Sequence, residues 1–412
     1  MKKDRNRKIM VIFTLWLAYA AMCLGRQNMA IALPAMEQEL GWNPTMAGII
    51  TGVFFWFYAV GQLINGYLGD QVDCKRIVLF GLIASCVANG LLPFVNTFWA
   101  MVLLWAMNGY VQSTGWGPIL KIASHWTEEH ERAQVAGFLA TSGIAGFFAS
   151  WAISGGILLV TSWHWVFAFP AIVLGCISIL WSLQVESYPN TAHQAPPAKD
   201  SGGLKTNMLE FIKYPGVLGL GLVSFLQGMI RNGIILWTPT LLAHTLFDGT
   251  AAIPSLLIPL FGLVGIGIST RLLSRLKGND QAAITILLAL AGILALVSAK
   301  ALKWEQALLL AFTIASCAAF MEGANTVLLT SIPLKFARVG KQSTMAGFLD
   351  FASYMGAAFM SIFTGIILER WNWNAIVVSW AIVCIIASIL TWLLARTKDT
   401  AVQTNDWTRR AV

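Results

Sequence analysis

The chain has 412 residues, of which 57% are hydrophobic and 11% charged, with a net charge of +8. A soluble domain carries about 25% charged residues, so the composition excludes a soluble globular protein and indicates a polytopic membrane protein. A positive balance can mark a nucleic-acid binder, but here the positions of the charges exclude one.

Twelve helical spans of the roughly 20 apolar residues needed to cross a bilayer fit the hydropathy. They fall at 10–34, 45–69, 77–95, 98–122, 133–160, 165–185, 214–242, 252–273, 280–301, 306–331, 342–367 and 373–395. The first apolar run begins at Ile9, outlasts a signal h-region and shows no cleavage site, so it reads as a mature span. With both termini placed inside, Lys and Arg divide 22 to 3 between inner and outer segments, a positive-inside pattern that accounts for the basic balance by topology.

Two arginines escape that division. Arg26, in "GRQNMAIALP", lies within span one and Arg231 lies within span seven. A charge in hydrocarbon costs several kcal/mol unless it meets a partner or a wet path. Each arginine precedes a proline by eight residues (Pro34, Pro239), and each lies about 16 residues into its span, or about 24 Å along the helix. The echo suggests two halves built as parallel repeats, the plan of some secondary transporters. The polar stretch 186–206, rich in Pro, Ser and Gly, reads as a linker between them.

Span four, "WAMNGYVQSTGWGPILKIASHW", carries a stripe of Asn108, Gly109, Gln112, Gly115, Trp116, Gly117 and Pro118. Such a face either packs through small residues or lines a wet path. Asn28, Asn108 and Asn232 read more readily as interhelical hydrogen-bond formers. Two acids occur in later spans, Glu322 in "AAFMEGAN" and Asp350 in "GFLDFAS". A buried carboxylate tends to be neutralised by a proton or a cation. Three roles are open to Glu322: proton coupling, a contact to an amine or hydroxyl of the substrate, or an ion pair with Arg231 or Arg26. Asp350 divides between coupling and helix packing.

The six cysteines are scattered without a CxxC pair, and the five histidines lie near loops and span ends with no metal-ligand spacing. No GxxxxGK[ST] phosphate loop is present, which argues against ATP hydrolysis. The sequence therefore predicts neither catalytic residues nor a metal or cofactor. "TEEHER" at 127–132 reads as a solvated loop.

Between spans two and three stands "GYLGDQVDCKR", Gly66 to Arg76. It resembles the loop signature of the major facilitator superfamily, roughly G-x-L-a-D-r-x-G-r-k. Gly66, Leu68, Gly69, Asp70, Lys75 and Arg76 match, while Asp73 and Cys74 stand where a glycine and a basic residue are usual. With the fourth-span motif, the end of span one and "RNGIILWTP" of span seven, the chain resembles the organophosphate:phosphate antiporters over essentially its whole length at low identity. The glycerol-3-phosphate and hexose-6-phosphate transporters belong to that family.

The resemblance implies an all-α membrane protein of twelve transmembrane helices in two pseudo-symmetric six-helix halves. It implies that Arg26 and Arg231 grip an anion between the halves. A guanidinium suits this task, being always charged, with five donors in a planar fork matched to phosphate or carboxylate. It implies that Tyr19, Tyr58, Trp116 and Tyr354 line the path, and that Asp70 and Arg76 govern the inner gate. Three departures remove positive charge: Gln27 stands for a lysine, Gln62 for a basic residue in span two and Gly143 for a histidine in span five. Glu322 stands for a tyrosine. A singly charged anion, a sugar acid or a zwitterionic phosphate compound then fits better than a dianion.

The expectation is a secondary transporter of the inner membrane with both termini cytoplasmic, working as a monomer in the lipid bilayer. It would move a small organophosphate-like anion by alternating access, with phosphate or a proton as coupling ion. The domains would be 1–185, a linker at 186–213, 214–398, and a tail at 399–412. The alternatives are a proton-coupled carboxylate or sugar-acid symporter and a transporter-like membrane sensor.

Overall fold

Hydropathy this high demands that each backbone polar group be satisfied within its own segment, and helices do this. The computed structural model describes residues 2–71, 73–128, 131–186, 216–245, 252–336 and 342–402, and all regular elements among them are helical. The chain divides into two compact units, residues 1–201 and 202–412.

The first unit contains α1 (Lys2–Leu40), α2 (Pro44–Gln71), α3 (Cys74–Leu91), α4 (Phe98–Gln112), α5 (Trp116–Trp126), α6 (Arg132–Val160) and α7 (Trp163–Gln184). The second contains α8 (Val217–Thr245), the short α9 (Ala252–Ser255), α10 (Leu257–Arg275), α11 (Asp280–Lys303), α12 (Ala307–Thr326), the short α13 (Ile332–Lys335), α14 (Gln342–Arg370) and α15 (Trp373–Val402). Eleven stretches of described helix are long and apolar enough to cross a membrane. The expected linker, apart from Glu186, and the tail beyond Val402 lie outside the described residues.

Local chemistry sets the helix ends. α1 stops at Gly41, whose φ of 64° suits glycine, and the Trp42 N–H returns to the Glu37 carbonyl at 3.1 Å. Asn43 then caps α2 by accepting the Met46 N–H at 2.8 Å, with Pro44 at the first helical position. Asp73, the residue that departs from the loop signature, is the N-cap of α3 and accepts from the Lys75 N–H.

The structure corrects span four. The predicted single helix 98–122 is two helices, α4 and α5, broken at Ser113–Gly115. The Ser113 and Thr114 hydroxyls donate to the Tyr110 and Val111 carbonyls at 2.6 and 2.7 Å, and their N–H groups close tight turns onto the same carbonyls. Hydroxyls competing for backbone acceptors destabilise a continuous helix, and Pro118 brings no N–H to the next turn. Span ten is also irregular. It runs through a π turn, Val327–Ser331, where the Ile332 N–H reaches back to the Val327 carbonyl. Pro333 lies just beyond, leaving the Leu329 carbonyl without its α-helical donor.

Pairing within each unit repeats. In the first unit α1 packs on α6, α2 on α4, and α3 on α7; in the second, α8 packs on α14, α10 on α12, and α11 on α15. In span numbers the partners are 1–5, 2–4 and 3–6, then 7–11, 8–10 and 9–12. Small residues permit the closest of these approaches. A Cβ at Gly109 would stand 2.3 Å from the Phe54 carbonyl oxygen, and one at Gly265 would stand 1.8 Å from that of Ala319. Outward faces carry exposed Trp99, Leu103, Ile179 and Leu183 in one unit and Leu308, Phe312, Ile385 and Ile389 in the other. This is the surface a lipid-solvated protein presents.

Candidate functional site

In the first unit α1 carries Arg26, half-buried, into an aromatic surround. Its Nη2 donates to Cys23 Sγ at 3.2 Å, and its guanidinium carbon stands 5.5 Å from the centre of the Tyr58 ring on α2. Tyr19, two turns earlier on α1, lies within electrostatic reach of the same guanidinium. The Tyr19 ring packs on Trp116, the first residue of α5, with centroids 4.7 Å apart. Gly143 faces Tyr19: a Cβ there would touch Tyr19 Cε1 at 3.4 Å.

Behind Arg26 lies a buried polar network that the sequence reading did not assemble. The Gly25 carbonyl accepts from Asn89 Nδ2 and from Asn108 Nδ2, each at 3.0 Å. Ser85 Oγ donates to Asn108 Oδ1 at 2.7 Å and accepts from Gln112 Nε2 at 2.9 Å. Asn28 Nδ2 donates to Asn89 Oδ1 and to the Val166 carbonyl, at 3.0 and 3.1 Å. Ser150 Oγ donates to the Leu24 carbonyl at 3.0 Å. All these side chains are buried. They tie α3, α4, α6 and α7 to the backbone beside Arg26. Polar groups in the middle of span three, "ASCVANG", were the available signal.

In the second unit α8 carries Arg231. Its Nε and Nη2 both lie 2.8 Å from Oε1 of Glu322 on α12, and the two side chains are only about one-fifth exposed. Nη1 lies 3.4 Å from Asn232 Oδ1. Asp350 and Tyr354 of α14 lie within electrostatic reach of the same guanidinium. Backbone clamps recur here. Gln227, one turn before Arg231, donates to the Met321 carbonyl at 3.0 Å, and Ser224 donates to the Leu349 carbonyl at 2.7 Å. Each acceptor precedes one of the acids, Glu322 and Asp350.

The structure thus groups Arg26, Tyr19, Tyr58 and Trp116 in one unit, and Arg231, Glu322, Asp350 and Tyr354 in the other. Gln62 is half-buried one turn beyond Tyr58 on α2, and no described hydrogen bond joins it to Arg26. Asp70 lies in the last turn of α2, with its side chain outside those described. Arg76 is 84% exposed, 3.8 Å from Asp73 Oδ2. Its neighbour Lys75 donates to the Ser182 carbonyl at 3.0 Å, while Trp181 Nε1 donates to the Lys75 carbonyl. At the same end of the unit Arg7 pairs with Glu186 and Lys8 with Glu131. No group of three His, Cys, Asp or Glu fit to hold a metal occurs among the described residues.

Comparison with known proteins places this architecture in a class of membrane transport proteins. Residues 15–359 match the Major Facilitator Superfamily, and the chain belongs to that family. It is 20% identical to a probable hexose phosphate transport protein of Chlamydia trachomatis, over 95% of this chain and 92% of that one. It is 24% identical to the glycerol-3-phosphate transporter of Bacillus subtilis, over 94% and 93%. A match to the D-galactonate transporter of Escherichia coli reaches 25% identity over 44% of this chain and 41% of that one. The crystal structure of the nucleoside transporter NupG superposes with a TM-score of 0.76 at 14% identity, covering 94% of this chain and 99% of that one. The protein is a secondary transporter that moves small polar or charged solutes across a membrane by alternating access, and it is not an enzyme.

Proposed function

We propose that the chain carries a small organic anion, a phosphate ester or a sugar acid, across the cytoplasmic membrane, with Arg26 and Arg231 binding its anionic group. The observation that supports this most is the pair of half-buried guanidiniums, one in the first helix of each unit, each with tyrosine at hand. Arginine offers an anion two parallel donors from a rigid fork, and tyrosine adds a hydroxyl on an apolar wall. The relatives named above handle hexose phosphate, glycerol 3-phosphate and D-galactonate, all anions. Tyr19, Tyr58, Gln62, Trp116 and Tyr354 supply the remaining contacts, and Asp70 and Arg76 act at the inner gate. Both termini are placed on the cytoplasmic side, a placement that the Lys and Arg distribution supports.

Coupling by phosphate exchange and coupling by protons are separable. The Arg231–Glu322 pair favours the second, because it leaves this unit less positive than the guanidinium without its carboxylate would. Purified protein should be stabilised against heat by its substrate class in a screen of phosphate esters, phosphonates and sugar acids. Counterflow in proteoliposomes then reads transport. Uptake driven by internal phosphate supports exchange, and uptake driven only by a pH gradient supports proton coupling. A screen in which neutral nucleosides stabilise and no anion does would reject the reading.

A further inference from the structure

We infer that Glu322 is the group that couples cargo to protons: it holds Arg231 while the site is empty and takes up a proton when a singly charged anion replaces it. This deepens the anion-binding reading and rests on it.

The geometry carries the argument. Glu322 occupies the Nε–Nη2 edge of Arg231 with a single oxygen, 2.8 Å from each nitrogen. That edge is the one a carboxylate or phosphate uses for two parallel hydrogen bonds. An anion arriving there displaces Glu322. A displaced carboxylate with only about one-fifth of its surface exposed is a poorly solvated, unpaired charge, and breaking such a pair is destabilising. Protonation removes that charge. Anion binding at Arg231 and proton binding at Glu322 therefore favour each other, and by linkage each raises the affinity of the other to the same degree.

The charges balance. The empty pair, Glu322 carboxylate with Arg231 guanidinium, is neutral. After the exchange the anion sits on the guanidinium, the proton sits on a Glu322 oxygen, and the total is again neutral. One proton moves with each singly charged anion, whereas a dianion would leave a net negative charge.

The surroundings leave few competitors for that proton. α14 contributes Asp350 and Tyr354, and α8 contributes Asn232 beside Arg231. α10 presents Gly262, where a Cβ would stand 3.3 Å from Glu322 Cγ, and its ionisable residues, Arg271 and Arg275, fall in its last turns. α11 brings Asp280, Lys300 and Lys303, all at its ends. The short α9 has none. Asp280 is already engaged by Lys335 at 2.6 Å and by Ser331 at 2.8 Å.

The test uses the full chain in phosphatidylethanolamine–phosphatidylglycerol vesicles loaded with a pH-sensitive dye, with D-galactonate and glycerol 3-phosphate as probes. The wild type should acidify the lumen as it takes up an anion, at one proton per anion. E322Q should lose gradient-driven accumulation at least tenfold and stop acidifying the lumen, while still exchanging labelled anion across the membrane. E322D should restore acidification. Acidification by E322Q at the wild-type rate, or wild-type uptake without proton entry, overturns the inference and leaves the anion reading standing. So does loss of acidification in D350N with coupling intact in E322Q. E322Q that neither exchanges nor accumulates, though it unfolds at the wild-type temperature, also overturns it. Wild-type vesicles that move neither probe overturn the anion reading, and the coupling falls with it.

Discussion

Gln227 reaches from α8 to the Met321 carbonyl of α12, 3.0 Å away, and Met321 is the residue before Glu322. Since Gln227 lies one turn from Arg231, a single helix both supplies the guanidinium and fixes the backbone that presents its carboxylate. The bond is buried and joins residues 94 apart in sequence. Gln227→Leu keeps the bulk and removes the donor. It should cost about 1–3 kcal/mol of stability, the range for a buried hydrogen bond lost with an acceptor left unmet. It should also weaken anion binding more than Gln227→Asn does. Thermal unfolding and substrate titration on the same samples measure both effects. Equal affinity in the two variants would separate Gln227 from the site.

Asn108 serves the corresponding purpose in the first unit. It bridges the Gly25 carbonyl and Ser85 Oγ, and Asn89 shares the same carbonyl. Asn108→Leu leaves the Ser85 hydroxyl without its acceptor in the interior. A loss of about 1–3 kcal/mol is expected, together with a raised KM, since the carbonyl that Asn108 holds belongs to Gly25, the residue before Arg26. Asn89→Leu should give a similar loss. The double variant should fall short of the sum, because the two side chains act on one carbonyl.

Arg26→Lys and Arg231→Lys keep the charge and remove the fork. Each should reduce transport at least about tenfold, or 1.4 kcal/mol, with normal membrane insertion, because a lysine offers a point charge and no parallel donor pair. Arg231→Lys should also loosen Glu322. Transport at the wild-type rate in both lysine variants would remove the arginines from the site.

The close helix crossings make a separate prediction about assembly. Gly265→Val places side-chain carbon where a backbone oxygen already stands, 1.8 Å from the ideal Cβ position. Because the obstacle is backbone, α10 and α12 must part, and the variant should be destabilised by about 3 kcal/mol or more, at the severe end of overpacking. Gly267→Val on the same helix has open space at its Cβ and should be tolerated. Folded yield by size-exclusion chromatography distinguishes them.

Much of the architecture was legible because lipid imposes a simple code: an apolar run of about 20 residues is a helix, and Lys and Arg mark the sides. The matched positions of Arg26 and Arg231 were equally plain. What escaped depended on chemistry between distant segments. Ser85 and Asn89 looked like ordinary polar residues in span three, and their meaning appears only when α1 and α4 bring Gly25 and Asn108 to them. Glu322 had three possible roles on sequence grounds, one of them an ion pair with either arginine, and packing of α8 against α12 places Arg231 against it. The break in span four lay in a stripe already marked as unusual. Hydropathy averages over a window and does not register two hydroxyls turning back on their own carbonyls. Asp73 looked like a flaw in a loop signature and is the cap that starts α3.

The π turn at Val327–Ser331 sets the facing of everything after it in span ten. One residue more or fewer in a helix turns all that follows by about 100°. Deleting one residue from 327–331 would swing Lys335 away from Asp280, which it meets at 2.6 Å, and so trade a wide coil for a broken ion pair.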